Sequence, residues 1–423
     1  MTQRIDIQDL LQPRLGEDLL AAIAAAQDTE FLLDEDAILT AARDATGLSD
    51  FGPEDFRVRL RRLVGEWNAD TRAYAFKRHF LMRYMVRYAS NRLLIQDTLK
   101  RHPEIHEEEI ARPIIVVGLP RSGTTHLLNL LGADTRLRST PLWEINEPVQ
   151  NPREPIGADG TDPRYLRAAA AWDITQATNP IIAAMHAMEP DHFHEDIELQ
   201  GADFASYNFE WIAHSPQWRD YYLATDQTPH YEYMKTGLKL LQWQDVQAGR
   251  PRKRWVTKCP QHLEQLPVLK RVFPDATIAV TYRDPVEVIQ SAATMVTYGQ
   301  RMAYPEIDAK GVLDYWTDRV ERLLRACVRD RPLWPEAQSI DVPFTQFMAD
   351  DQAVVRAVRA KAGLAPSAAA DREIAAFIDS HKRGKHGQIV YHLERDFGVS
   401  PRDLRRRFDF YFEAYPFLER PRD

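Results

Sequence analysis

The sequence predicts an α/β protein: a P-loop-type parallel sheet flanked by helices, with an N-terminal helical extension and a helical insertion. Three observations predict it. A short apolar run, Ile114-Ile115-Val116-Val117, ends in a glycine-bounded loop, Gly118-Leu119-Pro120-Arg121-Ser122-Gly123-Thr124-Thr125. A helix-period run follows at Leu127, Leu128, Leu130 and Leu131, giving strand, loop and helix N-terminus in that order. Further strand signals, each followed by a helical stretch, repeat the alternation of a parallel sheet covered on both faces.

Taken in order, residues 1–110 read as a helical extension packed on the core. Leu10, Leu11, Leu15, Leu19, Leu20 and Ile23 keep helical spacing, as do Phe56, Val58, Leu60, Leu63 and Val64, and Phe76 to Leu99 is a third periodic stretch. Such helices form a substrate lid, a dimer surface or plain packing, and packing is the default. Residues 111–423 read as the α/β unit, opening with the strand 114–117. Asn151 to Pro163 is rich in Pro, Gly and Asp and reads as an exposed loop. A helical insertion is expected over about 165–250, with an unusual density of aromatic residues from Trp172 to Trp243. They line a pocket for a hydrophobic ligand or simply fill a core; the two readings weigh equally. Strands return at Trp255-Val256-Thr257 and Thr277 to Thr281, with a helix between at Leu263, Leu266, Leu269 and Val272. Ser339 to Val342 reads as another strand, with a helix from Phe344.

The chain has 423 residues, 44% hydrophobic and 27% charged, with a formal net charge of −8. That acidic balance argues against broad nucleic-acid binding. Two cysteines, Cys259 and Cys327, are too few for a disulfide framework or a cysteine-rich metal site. The first residues lack the apolar core of a secretion signal, and no apolar run approaches the ~20 residues of a membrane span. A cytoplasmic location is the expectation. Oligomeric state is not readable; a homodimer stays open.

The loop 118–125 is laid out as a phosphate cradle. Unpaired N–H groups and the dipole of a helix N-terminus both favour an anion there. The lysine that precedes the last hydroxyl residue of a P-loop is missing, because Thr124 stands in its place. An NTPase needs that lysine on the β- and γ-phosphates, so the phosphate held here is of another kind. A second constellation follows the strand 277–281: Tyr282-Arg283-Asp284-Pro285, with Ser291 eight residues after Arg283. An arginine at a strand's carboxyl edge and a serine on the next helix can grip one phosphate together.

Together these residues resemble the sulfotransferases that use 3′-phosphoadenosine 5′-phosphosulfate (PAPS). The resemblance covers roughly 111–150, 252–300 and 381–400. It implies PAPS as co-substrate and no metal, with the 5′-phosphosulfate on Pro120, Arg121, Ser122, Gly123, Thr124 and Thr125 and the 3′-phosphate on Arg283 and Ser291. Lys258, in Lys258-Cys259-Pro260-Gln261-His262, is similar to the lysine that the family places at the transferring group. A comparable run, ending in a Phe-Pro like Phe273-Pro274 before the arginine, occurs in the protein-tyrosine sulfotransferases. For the acceptor's base, Glu144 matches the glutamate of the heparan and tyrosine branches in a looser register, with Glu147 beside it. His262 matches the small cytosolic branch only with a gap. His194, in His192-Phe193-His194-Glu195-Asp196, is a third candidate in a run that also resembles a metal site or a solvated polar loop. The order of preference is Glu144, His262, His194. Arg383-Gly384-Lys385-His386-Gly387 resembles the basic loop that closes over the 3′-phosphate, in a different residue order; a solvated basic loop is its plainer reading. His126 stands where the small cytosolic enzymes stack a tryptophan on adenine.

The resulting expectation is sulfuryl transfer from PAPS to a hydroxyl of a hydrophobic or phenolic small molecule. The alternative is a P-loop nucleotide-dependent kinase with a divergent loop. A third class is a non-catalytic sensor of 3′-phosphoadenosine 5′-phosphate (PAP).

Overall fold

The computed structural model describes residues 3–27 and 31–418, so the outermost residues of both expected units lie outside it. The centre is a five-stranded, all-parallel sheet. Its strands are β2 (Ile114–Gly118), β3 (Leu137–Arg138), β4 (Arg254–Lys258), β5 (Thr277–Tyr282) and β6 (Ser339–Pro343), in spatial order β3-β4-β2-β5-β6. A separate parallel pair joins β1 (Arg4–Asp6) to β7 (Gln388–Val390).

β-branched and apolar residues fill the central strands because both faces are covered. Ile115 and Val117 point into a large core with Trp255, Ile278 and Val280. Ile114 and Val116 point the other way, onto Leu127, Leu128, Leu130 and Leu131 of the helix Thr124–Gly132. The period of two along β2 thus separates the two layers.

Three long helices, Glu35–Thr46, Phe56–Ala69 and Ala75–Arg101, make up most of the N-terminal region. Their apolar faces meet Phe204, Phe209, Trp218 and Tyr222 rather than the sheet. The 165–250 region is built of six helical pieces, from Pro163–Thr178 to Thr228–Gln247. Of its aromatic residues, Phe204, Tyr207, Phe209, Trp218, Tyr222 and Tyr231 are buried in the core, while Phe193, Trp211, Tyr221, Tyr233 and Trp243 keep partial exposure. Pro163 opens a helix, capped by Asp162, and so lies past the end of the expected exposed loop.

Two details differ from the helical reading of the N-terminus. Near the N-terminus Arg4–Asp6 forms the strand β1, and Leu10, Leu11 and Leu15 precede the helix Glu17–Gln27. A three-residue strand carries too few alternations to register as a period-two signal. The helix expected from Leu263 begins only at Leu266, after a 3₁₀ turn over Pro260–Glu264. Pro260 and Pro267 account for the break, since each removes a backbone donor from its turn.

Candidate active site

The site lies at the carboxyl ends of β2, β4 and β5. Gly118 is level with Thr281 and Val116 with Lys258, so the loop after β2, the last residue of β4 and the turn after β5 converge. Arg121 and Gly123 both take positive φ, 63° and 88°. For an arginine that backbone is unusual, and strain of this kind gathers at ligand clamps. A Cβ on Gly118 would collide with the Thr281 hydroxyl, so glycine is required where the loop leaves the strand.

The loop is locked from inside. Ser122 is fully buried; its hydroxyl donates to Leu119 O at 2.5 Å and lies 2.7 Å from Thr281 Oγ1. That hydroxyl therefore shapes the cradle from within. The backbone N–H groups of Gly123, Thr124 and Thr125 have no acceptor among the described residues. They open the helix Thr124–Gly132, whose N-cap Gly123 offers no side chain. Three donors at a helix N-terminus without partners form an anion cradle.

Around the cradle stand two groups of side chains. Lys258, 1% exposed, donates to Thr125 Oγ1 at 2.9 Å and is ion-paired with Glu195. On the other side Arg121 Nε donates to Ser291 Oγ at 3.1 Å, and Ser291 Oγ lies 2.9 Å from the Tyr391 hydroxyl. Arg283 donates to the carbonyl of Arg121 at 2.6 Å and to Glu287 at 2.9 Å, with its guanidinium over the Phe344 ring. Asp284 caps the helix Pro285–Gln300 that carries Ser291. Arg121, Arg283 and Ser291 are thus brought together, and Tyr391, which follows the basic loop, joins them.

The bases named from sequence fare differently. Glu144, on the helix Leu142–Asn146, receives both its hydrogen bonds from one Arg138 nitrogen, at 2.7 Å each, and Arg138 also binds Asp245. His262 is fully buried; Tyr231 OH lies 2.9 Å from Nδ1 and Asp196 3.0 Å from Nε2, so neither ring nitrogen faces the cradle. His194 is buried, and burial together with His186 and Lys258 pushes its pKa well below the ordinary histidine range. His186 is lowered in the same way by burial, Arg121 and Lys258, and His192 is pushed down to about 4, chiefly by burial. The segment 194–196 is laid across the end of β4 by His194 N to Thr140 O and Asp196 N to Lys258 O. That placement delivers Glu195 to Lys258.

The basic loop reaches the site at two points. Arg383 binds Asp351 at 2.7 Å and lies 3.2 Å from His126 Nε2, while Lys385 binds Glu189 at 2.9 Å. Gly384 supplies the positive φ of the turn, 72°. A cavity of about 320 Å³ opens here between His126, Asp351, Asp379, His381 and Arg383. A larger one, about 820 Å³, lies at the opposite end of the strands, between Glu107 and Arg254, away from the cradle. Among the described residues no cluster of His, Cys, Asp or Glu is set for a metal ion, and no helix is long and apolar enough to cross a membrane.

A cradle without the NTPase lysine, with a lysine and an arginine–serine pair on either side, thus stands at the head of the parallel sheet. The model of the sulfotransferase family matches residues 113–367, more than half of the chain, and the chain belongs to that family. It is similar to the sulfotransferase STF1 of Mycobacterium tuberculosis H37Rv, with 26% identity, a TM-score of 0.77, and coverage of 90% of this chain and all of the other. It shares its fold with the sulfotransferase STF9 of Mycobacterium avium, with 23% identity, a TM-score of 0.79, and coverage of 92% and 98%. No curated protein matches the chain.

Proposed function

We propose that this sulfotransferase transfers a sulfuryl group from PAPS to a hydroxyl of a small-molecule acceptor. The observation that carries the reading is the set of unpartnered amides of Gly123, Thr124 and Thr125 placed between Lys258 and the Arg121–Ser291–Tyr391 cluster. In this reading the amides hold the 5′-phosphate, which gains negative charge as the leaving group. Arg121, Arg283 and Ser291 take the 3′-phosphate, and the cavity beside His126 takes the adenine. Arg383 and Lys385 close over the donor by exchanging Asp351 and Glu189 for phosphate. The kinase alternative finds no support in the family match.

In the reaction, the bond from sulfur to the acceptor oxygen forms as the bond from sulfur to the bridging phosphate oxygen breaks. The Lys258 ammonium stabilises the charge on that oxygen. The acceptor's proton goes to a base, and Glu195 suits that role better than the three residues named from sequence. Its carboxylate touches the lysine at the reaction centre. Glu144 is held by Arg138, His262 by Asp196 and Tyr231, and His194 is a weak base. Six of the aromatic residues that suggested a hydrophobic or phenolic acceptor are buried in the core, while Phe193, Trp211, Tyr221, Tyr233 and Trp243 keep partial exposure, and a hydrophobic or phenolic hydroxyl remains the acceptor class we propose. We also place the protein in the cytoplasm, where its two cysteines, both free and buried, would stay reduced.

Thermal unfolding with nucleotides tests this reading. PAP should raise Tm in the presence of EDTA, and adenosine 5′-monophosphate, which lacks the 3′-phosphate, should raise it far less. Equal shifts would remove the assignment of Arg121, Arg283 and Ser291.

A further inference from the structure

β1 and β7 have no place in the five-stranded sheet; they pair only with each other, Arg4 to Gln388, Ile5 to Ile389 and Asp6 to Val390. What makes this pair notable is its position between two pieces of the donor site. The basic loop Arg383–Gly387 runs directly into β7, and Tyr391, bonded to Ser291, leaves it at the other end. The N-terminal segment grips both ends. Gln388 N donates to Gln3 O at 2.8 Å, and Gly387, at a φ of 94°, is packed so closely on Ile5 that a Cβ would come within 2.5 Å of Ile5 Cδ1. Past Tyr391, Asp6 is ion-paired with Arg395 at 2.8 Å and lies 3.3 Å from His392, and Arg395 also donates to Ile7 O at 3.0 Å. Ile389 is buried in the main core, which anchors β7 at its middle residue but leaves its two ends to the N-terminal segment.

We infer that the N-terminal strand is a positioning element of the donor site: by pairing with β7 it fixes the basic loop on one side and Tyr391 on the other. This rests on the donor reading above. A glycine-rich basic loop that is free in solution must be ordered when the donor binds, and that conformational entropy weakens binding. Strand pairing on Gln388–Val390 orders the loop beforehand. None of the residues Gln3–Ile7 needs to touch the donor for this to work. A single short ladder is marginal alone, so the effect is graded and does not decide folding.

The test is Ile5→Pro in the full chain, which removes a backbone donor from the ladder, with Asp6→Asn as the milder variant. Calorimetric titration with PAP should show affinity about tenfold lower for Ile5→Pro, the KM for PAPS should rise with kcat little changed, and Tm should hold within a few degrees. Hydrogen exchange over 383–391 should quicken. PAP affinity unchanged in a variant whose 388–390 amides exchange fast would overturn the inference. If the wild-type protein binds no PAP, the donor reading fails by itself; exchange at 383–391 then still decides whether β1 orders the loop, and unchanged exchange in Ile5→Pro would overturn it.

Discussion

The cradle end of the sheet and two buried ion clusters, around Arg319 and Asp203, treat charge in opposite ways. In the two clusters the charges are answered from within the chain. Arg319, with no exposed surface, donates to Glu210 at 2.9 Å and to Glu264 at 2.6 Å through two nitrogens, and Tyr315 OH donates to Glu210 at 2.6 Å. Asp203 gathers Arg59 at 2.8 Å, Arg92 at 2.7 Å and His230 at 2.5 Å. At the cradle, three backbone donors have no acceptor among the described residues, and Lys258 and Arg121 are held by side chains from which a ligand could take them. A buried polar cluster that closes on itself stabilises the fold; one left open marks where a ligand completes it.

Breaking the closed cluster should give the largest effect. Arg319→Met leaves Glu210 and Glu264 buried without their cation, and denaturant unfolding should show a loss of about 3–5 kcal/mol. Any folded fraction should retain PAP binding, since Arg319 bonds to none of the cradle residues. At the open end the expected pattern is reversed. Glu195→Gln should lower kcat by roughly 10²-fold or more, the scale of a lost general base, without weakening PAP binding. If Glu144→Gln has that effect and Glu195→Gln does not, the base lies on the Arg138 side. Arg283→Ala should weaken PAP binding by about 2 kcal/mol, the scale for removing one partner of a buried charged contact, read by titration.

A further effect is on pH. His186, His192 and His194 sit below the ordinary histidine pKa because they are buried among cations. A folded-state pKa below the unfolded one means that the unfolded chain binds protons first. Stability is then full above about pH 6.5 and falls toward the folded value near 4 for His192. Between pH 7 and 5 the loss from His192 should be about 2 kcal/mol, seen as a falling Tm that His192→Asn reduces.

The open end was the more legible in sequence. Strand, loop and helix N-terminus are contiguous in the chain, so the cradle and the Arg283–Ser291 pair show their function through local spacing alone. The contacts that sequence reading missed join distant segments. Glu195 meets Lys258 across 63 residues and Tyr391 meets Ser291 across 100, and neither pairing leaves a local pattern. The same limit explains the histidines: His262 sits near Lys258 in sequence, yet the 3₁₀ turn over Pro260–Glu264 buries it against Tyr231 and Asp196. The aromatic density of the insertion was visible, but a core-facing and a pocket-facing aromatic look alike until their neighbours are known. β1 and β7 are three residues each, too short for periodicity to show.

The central claim is that the loop 118–125 with Lys258, Arg121, Arg283 and Ser291 is a donor site for PAPS. Calorimetric titration of the protein with PAP in buffer containing EDTA tests it most directly. The account predicts saturable binding at one site per chain, lost or strongly weakened in Arg283→Ala. No heat with PAP, alongside Mg²⁺-dependent binding of ATP, would contradict it.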